Sequence, residues 1–269
     1  MSIALVVSDI DDTLLPKGGK ISDRTRRAVA ALNEKKIPFV LASGRWFPST
    51  VSVAEEIGCK GPLIVANGGC VITRAGEVLK EFCMADADVG AAYGIIRDSG
   101  ALITSYVRGA IYRLNVKTME NRPPEKHSYF GGDLFEVVDD DRARFEAEAL
   151  RDVYKMEVYS NDGALLARLR AELTAAGLCV SSSFYTNLEI TTQGLGKGTA
   201  LLWLTKSMGV SREDVMAFGD NTNDMQMLSC AGWGVAMGNA VPALKDMARF
   251  VADDCQSDGL ARAIEEYVL

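Results

Sequence analysis

The chain begins with a short apolar run that ends abruptly in acidic residues. Residues 4–7 are apolar, and Asp9, Asp11, Asp12 and Thr13 follow closely. A continuous apolar run is typical of a buried parallel strand, and ligands of open α/β sheets gather beyond the carboxyl ends of such strands. The spacing of Asp9 and Asp11 can aim both carboxyl groups at one small volume, where their repulsion requires a cation or a shared proton. The run therefore predicts a buried first strand that ends at a site suited to a nucleophile paired with an acid.

Length, composition and cysteine usage set broad limits. The chain has 269 residues, 48% of them hydrophobic, which is enough for one large domain or two modest ones. Its start has no basic region, and Asp9 interrupts the apolar run, so we expect neither a signal peptide nor a membrane span. The six cysteines form no C-x-x-C pair, which favours reduced thiols. We therefore expect a globular, cytoplasmic protein.

The charge and the histidine content exclude further classes. The formal net charge is −7, and nucleic acids are bound largely through Lys and Arg, so we expect no nucleic-acid partner and no membrane partner. The chain has one histidine, His127, on which any histidine-based chemistry would depend. Carboxylates are therefore the better catalytic candidates.

The order of predicted elements indicates a core with an inserted domain. Residues 1–82 alternate strand and helix, as in a parallel sheet, and the pattern resumes over residues 191–269. Residues 83–190 instead contain adjacent strand pairs with helices, which indicates a separate α+β unit with an antiparallel sheet. The fold class predicted is α/β, a Rossmann-like parallel-sheet core (1–82 and 191–269) with an inserted α+β domain (83–190).

Individual elements follow from periodicity and cap residues. Ser22 can cap a first helix that runs over 24–35. Further helices are predicted at 49–57, 86–98, 198–208 and 223–229, and two more around 250–252. The strands after the first are predicted at 37–42, 62–66, 101–107, 111–116, 135–138, 178–183, 188–191, 215–218 and 234–236, and 142–176 is predicted to form a helix, a strand and a helix.

Four polar clusters fall where elements of the parallel core begin or end. They span residues 9–13, 43–45, 196–198 and 219–224. Each alone has an ordinary explanation as a turn, a helix cap or a solvated lysine. Their joint occurrence in one interrupted α/β domain favours an active site.

The four clusters resemble the motifs of the haloacid dehalogenase-like (HAD) phosphohydrolases. Along the chain they supply, in this order, a nucleophile, a hydroxyl group, a lysine and a late acidic motif. The sequence is similar to the Cof-type, class IIB branch, and the likeness extends over essentially the whole chain. It rests on Asp-Ile-Asp-Asp-Thr-Leu at 9–14, Ala-Ser-Gly-Arg at 42–45, Asn-Gly at 67–68, Gly-Lys-Gly-Thr-Ala-Leu at 196–201 and Gly-Asp-Asn-Thr-Asn-Asp-Met at 219–225. Asp12 stands where many members have glycine. The resemblance implies a phosphatase with an inserted cap.

The resemblance also implies a covalent mechanism on the matching residues. Asp9 would attack phosphorus and become an aspartyl phosphate, and Asp11 would protonate the leaving alcohol and then deprotonate water. Ser43 and Gly44 would bind phosphoryl oxygens through the hydroxyl and a backbone N–H, and Lys197 would balance the charge on Asp9 and the phosphoryl group.

A site with this many carboxylates requires a cation to receive an anionic phosphate. Mg²⁺ is the expected cofactor, because it is a hard ion that prefers oxygen ligands and bridges phosphate oxygens. The ligands assigned to it are the Asp9 carboxylate, the Asp11 backbone carbonyl and the Asp220 carboxylate. Asp224 and Asn223 would support these ligands.

Other residues are expected to support the loop or meet the substrate. Thr13 would support the nucleophile loop, and Arg45, Asn67 and Asn223 would contact the substrate. The inserted domain is expected to act as a cap that closes over the site and selects substrates. Its candidate substrate-facing residues are Arg108, Tyr112, Arg113, Tyr185 and Asn187, whereas His127 is expected to be a solvated loop residue.

The expected partner is a small phosphorylated metabolite, such as a sugar phosphate or pyridoxal phosphate. Two alternatives remain open: a phosphotransferase or mutase that uses the same intermediate, and a non-catalytic module that senses phosphorylation of an aspartate. The sequence does not determine the physiological substrate or the oligomeric state, and a homo-oligomer is one of the open alternatives.

Overall fold

The computed structural model describes residues 3–119 and 136–269. The chain divides into two compact units. Unit 1 comprises Met1–Lys80 and Gly196–Leu269, and unit 2 comprises Glu81–Leu195.

The described residues contain the following elements. The strands are β1 (Leu5–Ser8), β2 (Phe39–Ala42), β3 (Leu63–Val65), β4 (Cys70–Ile72), β5 (Val78–Glu81), β6 (Leu102–Val107), β7 (Ala110–Leu114), β8 (Glu136–Asp139), β9 (Val153–Tyr159), β10 (Cys179–Ser181), β11 (Asn187–Thr191), β12 (Val215–Gly219), β13 (Trp233–Ala236) and β14 (Phe250–Val251). The α-helices are α1 (Asp23–Glu34), α2 (Phe47–Ile57), α3 (Asp86–Ile96), α4 (Arg142–Glu148), α5 (Gly163–Ala175), α6 (Lys197–Met208), α7 (Met225–Cys230), α8 (Pro242–Met247) and α9 (Gly259–Tyr267).

The first sheet has the strand order β14-β13-β12-β1-β2-β3-β4-β5. Its strands pair in parallel from β14 to β3, and β3 pairs with β4 antiparallel. Ser8 at the end of β1 is in register with Phe218 of β12 and Leu41 of β2. The loops after these three strands therefore start at the same edge of the sheet, and the predicted α/β class with a parallel-sheet core is confirmed.

The buried strands and capped helices follow from local sequence. Every residue of β1, β2 and β12 is buried, as expected for continuous apolar runs covered on both faces. Helix α1 begins after Ser22, whose hydroxyl accepts the backbone N–H of Thr25 at 3.0 Å, so the predicted cap is confirmed. Helix α6 ends at Gly209, which adopts the left-handed conformation typical of helix ends.

The second sheet has the order β10-β11-β9-β6-β7-β8. Its described pairings are antiparallel except that of β7 with β8, which is parallel and corrects the expectation of an antiparallel sheet. Alternating residues of these strands share one apolar core with the helices of unit 2, including Val89, Ile103, Phe145, Met156, Leu169 and Leu188.

Several predicted elements change at their ends or in type. Two helices do flank residues 250–252, but Phe250–Val251 forms the edge strand β14. Strands β4 and β5 were absent from the predicted set. The helix predicted from residue 223 begins as a 3-10 turn, Thr222–Asp224, before α7. The strand predicted at 135–138 is seen as β8, with residue 135 outside the described residues.

None of the helices in the described part of the chain is long and apolar enough to cross a bilayer.

Candidate active site

A buried lysine joins two carboxylates at the carboxyl edge of the first sheet. The Lys197 ammonium donates to Asp9 Oδ1 at 2.6 Å and to Asp224 Oδ1 at 2.7 Å. Lys197 and Asp224 are each 0% exposed, and Asp9 is 5% exposed. Asp9 itself begins the loop after β1, and its backbone N–H donates to the carbonyl of Phe218 in β12. The first strand and the start of α6 thus bring opposite charges together inside the protein.

Close backbone contacts bring Lys197 to this position. A Cβ atom added to Gly68 would lie 2.2 Å from the carbonyl oxygen of Gly196, and one added to Gly198 would lie 2.6 Å from the carbonyl oxygen of Gln226. The Gln226 side-chain oxygen also accepts the backbone N–H groups of Gly198 and Thr199 at 3.2 and 3.3 Å. Glycines beside Lys197 therefore allow the start of α6 to pack directly against neighbouring backbone.

Asp224 connects Lys197 to the loop after β12. Its Oδ1 accepts from Lys197, and its Oδ2 accepts the backbone N–H groups of Asp220 and Asn221 at 3.0 and 3.2 Å. A Cβ on Gly219 would lie 2.4 Å from the Asp224 Cβ, so only glycine leaves room there. Both Asp224 oxygens already accept hydrogen bonds within the protein, which suits the supporting role expected for it.

Asp220 completes an acidic cluster. One carboxylate oxygen from each of Asp9, Asp220 and Asp224 lies within 4.8 Å of the others. Asp220 Oδ1 accepts the Thr13 hydroxyl at 2.9 Å, so Thr13 links the two loops that carry Asp9 and Asp220. The donors are carboxylate oxygens, which are the ligands of hard divalent cations.

The electrostatics of the cluster favour a cation. Burial raises the pKa of Asp9 well above its ordinary value; Lys197 opposes this rise, whereas Asp224 and Asp220 add to it. Burial and the neighbouring Asp224 raise the pKa of Asp220 to about 7. Burial lowers the pKa of Lys197, but its pairs with Asp224 and Asp9 outweigh this effect and raise it above its ordinary value. One ammonium thus faces three carboxylates, and a divalent cation would balance the remaining charge.

Asp11 has a different partner from Asp9. Arg45 Nε donates to Asp11 Oδ2 at 2.8 Å, and Arg45 Nη2 donates to Asp11 Oδ1 at 2.5 Å. Arg45 Nη1 donates in addition to the Ser49 hydroxyl at 3.2 Å. Arg45, which was expected to contact the substrate, is therefore bound to Asp11, the carboxylate expected to transfer the proton.

The loop after β2 is tied to the turn after β3. Ser43 is buried, its backbone N–H donates to the Ile64 carbonyl, and its own carbonyl accepts the Asn67 N–H at 3.0 Å. Asn67 has φ of 55°, in the left-handed region that asparagine tolerates better than most residues. Its side-chain oxygen accepts the Asn223 amide at 3.2 Å. The structure thus brings Ser43, Asn67 and Asn223 into one hydrogen-bonded region.

The backbone conformation of Asp12 would also suit a glycine. Its φ is 55°, where glycine fits without strain and aspartate is tolerated. The Asp12 carboxylate accepts the Lys17 N–H at 2.9 Å, and its carbonyl accepts the Asn239 amide at 2.7 Å. Asn239 and Gln226 were both missing from the predicted site. Asn239 follows β13, so its place just beyond another strand end was the available signal.

The candidate substrate-facing residues of unit 2 have local partners or lie exposed. Arg108 pairs with Glu81, Arg113 with Asp139 and Tyr112 with Glu148, and the Asn187 oxygen accepts the N–H groups of Ser183 and Phe184. Tyr185 is 91% exposed. His127 lies outside the described residues.

Comparison with known proteins identifies the family to which the sequence is similar. The sequence matches the haloacid dehalogenase-like hydrolases over residues 6–264. It is 28% identical to the 5-amino-6-(5-phospho-D-ribitylamino)uracil phosphatase YcsE of Bacillus subtilis, over 100% of this chain and 97% of that protein. A solved haloacid dehalogenase-like hydrolase from Bacteroides thetaiotaomicron is 29% identical, with a TM-score of 0.79 over 98% of this chain and 99% of that one. A HAD subclass IIB sugar phosphatase, 20% identical, shares the fold with a TM-score of 0.81 over 98% of each chain.

The close approach of Gly68 to Gly196 predicts a large cost for a small substitution. Gly68→Ala should lower the free energy of unfolding by more than Gly209→Ala, as measured by urea denaturation. Both glycines have positive φ, which costs alanine about 1–2 kcal/mol, but the space around Gly209 is open. Equal losses in the two variants would contradict the packing of the turn after β3 on the start of α6.

Proposed function

We propose that this chain, which belongs to the haloacid dehalogenase-like hydrolases, hydrolyses phosphomonoesters of small metabolites through an aspartyl phosphate on Asp9. Its enzyme class is that of the phosphoric monoester hydrolases, as for its named relatives. The observation that carries the covalent step is the buried contact of Lys197 with Asp9, beside the acidic cluster. This arrangement supplies a nucleophile, a fixed positive charge and a place for a cation at one sheet edge.

The proposed reaction has two displacements at phosphorus. An Asp9 carboxylate oxygen forms a bond to phosphorus as the ester P–O bond breaks, and Asp11, which enters this step protonated, gives its proton to the departing alkoxide. Water then attacks the aspartyl phosphate while Asp11 takes back a proton, so that inorganic phosphate leaves and Asp9 is restored. Lys197 holds Asp9 Oδ1 in place and offsets negative charge during both steps.

Mg²⁺ is the proposed cofactor, and the carboxylate donor set fits it. The Asp9 and Asp220 carboxylates and the Asp11 backbone carbonyl would hold it, with Asp224 orienting the Asp220 loop through two backbone N–H groups. When bound, it supplies positive charge that keeps the carboxylates ionised and offsets the charge of the phosphoryl group.

The phosphoryl group is proposed to bind at the loop after β2. The Ser43 hydroxyl and the Gly44 N–H would donate to its oxygens, together with Lys197. The hydrogen-bonded pair of Asn67 and Asn223 would meet the substrate beside this loop.

The substrate class proposed is a small phosphorylated metabolite. The Bacillus subtilis relative is named for a phosphorylated ribityl compound, which supports a phosphate ester on a hydroxylated carbon chain, as in a sugar phosphate. Pyridoxal phosphate is the second candidate. A panel of such esters, assayed for Mg²⁺-dependent phosphate release, identifies the preferred one.

Removal of the nucleophile should abolish turnover. Asp9→Asn is expected to lower kcat by about 10³-fold or more, because the amide cannot form the covalent intermediate. Asp23→Asn, which changes an exposed aspartate at the start of α1, is the matched control and should retain full activity. In acid-quenched wild-type protein, peptide mass spectrometry should find phosphate on Asp9. Near-normal hydrolysis by Asp9→Asn would remove the covalent mechanism.

The charge of the acidic cluster predicts opposite effects of one substitution with and without Mg²⁺. Asp220→Asn should raise the melting temperature of metal-free protein, because it removes a repelling carboxylate but keeps an acceptor for Thr13. Mg²⁺ should raise the melting temperature of the wild type and of Asp23→Asn, but not that of Asp220→Asn. An equal Mg²⁺ effect in all three proteins would place the ion elsewhere.

A further inference from the structure

Arg45 and Asp11 form a paired contact between two loops of unit 1. Two guanidinium nitrogens donate to the two carboxylate oxygens at 2.8 and 2.5 Å. The Arg45 side chain is 19% exposed and that of Asp11 is 40% exposed. Such parallel contacts fix the plane and direction of a carboxylate more tightly than a single hydrogen bond does.

Arg45 is itself held by its surroundings. Its backbone N–H donates to the Ser43 hydroxyl at 3.1 Å, and its carbonyl accepts the Ala66 N–H at 2.9 Å. Its third guanidinium nitrogen donates to the buried Ser49, at the start of α2. The side chain that contacts Asp11 therefore extends from a backbone fixed on both sides.

We propose that Arg45 is a positioning residue, which orients the Asp11 carboxylate for proton transfer, rather than a binding residue for the phosphoryl group. The inference rests on the proposed function, in which Asp11 moves the proton. Proton transfer requires a carboxyl oxygen within hydrogen-bond reach of the leaving oxygen or of water. Without the guanidinium, the partly exposed Asp11 side chain would be free to adopt other rotamers.

The paired contact is compatible with both proton transfers. A carboxylate has about four lone-pair positions on its two oxygens, and the contacts with Arg45 use two of them. The remaining positions can carry the proton for the leaving group and accept the proton of water. A planar arginine serves this purpose, whereas lysine would offer a point charge without the fork.

The test uses two esters that differ in their need for a proton. The alkoxide of glucose 6-phosphate needs one to depart, whereas the nitrophenolate of p-nitrophenyl phosphate leaves unprotonated. With saturating Mg²⁺, kcat/KM is measured for the wild type, Asp11→Asn, Arg45→Gln and the double variant. In Asp11→Asn, kcat/KM should fall about 100-fold more on glucose 6-phosphate than on p-nitrophenyl phosphate. In Arg45→Gln, kcat/KM should likewise fall more on glucose 6-phosphate than on p-nitrophenyl phosphate.

The double variant separates positioning from phosphate binding. If Arg45 acts through Asp11, Arg45→Gln should cost little further activity in the Asp11→Asn background. Inhibition by inorganic phosphate should also be unchanged in Arg45→Gln. Arg45→Lys should show the same unequal loss of kcat/KM on the two esters as Arg45→Gln, because lysine keeps the charge but cannot form the paired contact. It also serves as the second variant if Arg45→Gln fails to fold.

The control is Arg26→Gln, which removes an arginine of unit 1 that pairs with Glu56 on the surface. It should leave both kcat/KM values at the wild-type level.

Equal losses on both esters in Arg45→Gln, weaker phosphate inhibition, or full additivity in the double variant would overturn the inference. Absence of phosphate release by the wild type from both esters would instead overturn the proposed function. An Asp11→Asn protein without an ester preference would overturn the role of Asp11 and, with it, that of Arg45.

Discussion

The buried contact of Lys197 with Asp9 and Asp224 is the interaction on which the rest of the site depends. Removing charges from water costs several kcal/mol per ion, and loss of one partner leaves another buried and unpaired. Here one ammonium meets two carboxylates directly, and Asp220 adds a third. The arrangement is therefore poorly explained as a device for stability alone. It fits the proposed reaction, which needs an ionised carboxylate held at a fixed position.

The glycines around this contact show how the backbone accommodates it. Gly68 lies so close to the Gly196 carbonyl that a Cβ atom would collide with it, and Gly219 leaves room for the Asp224 side chain. The first of these close approaches lies beside the start of α6, whose first residue is Lys197. The second lets Asp224 turn back to the backbone N–H groups of its own loop while it accepts from Lys197. The polar residues of the motifs thus depend on adjacent glycines.

The sequence was sufficient for the family, the α/β class and most core elements, because apolar runs and caps such as Ser22 are local signals. It was insufficient where pairing decides the structure. Strand β14 has two residues, too few for periodicity, and the parallel pairing of β7 with β8 depends on partners distant in sequence. The contact of Arg45 with Asp11 joins loops after two different strands, so no local sequence pattern could predict it.

The charges also constrain the order in which ligands can bind. Asp9, Asp11, Asp220 and Asp224 carry four negative charges when ionised, whereas Lys197 and Arg45 carry two positive ones, which leaves −2. A phosphomonoester brings further negative charge into a buried region where such interactions are strong. Protonation of Asp11, which the proposed first step requires, would still leave −1, and protonation of Asp9 would remove the proposed nucleophile. A divalent cation relieves it without that loss, so cation binding should precede or accompany the binding of the phosphoryl group.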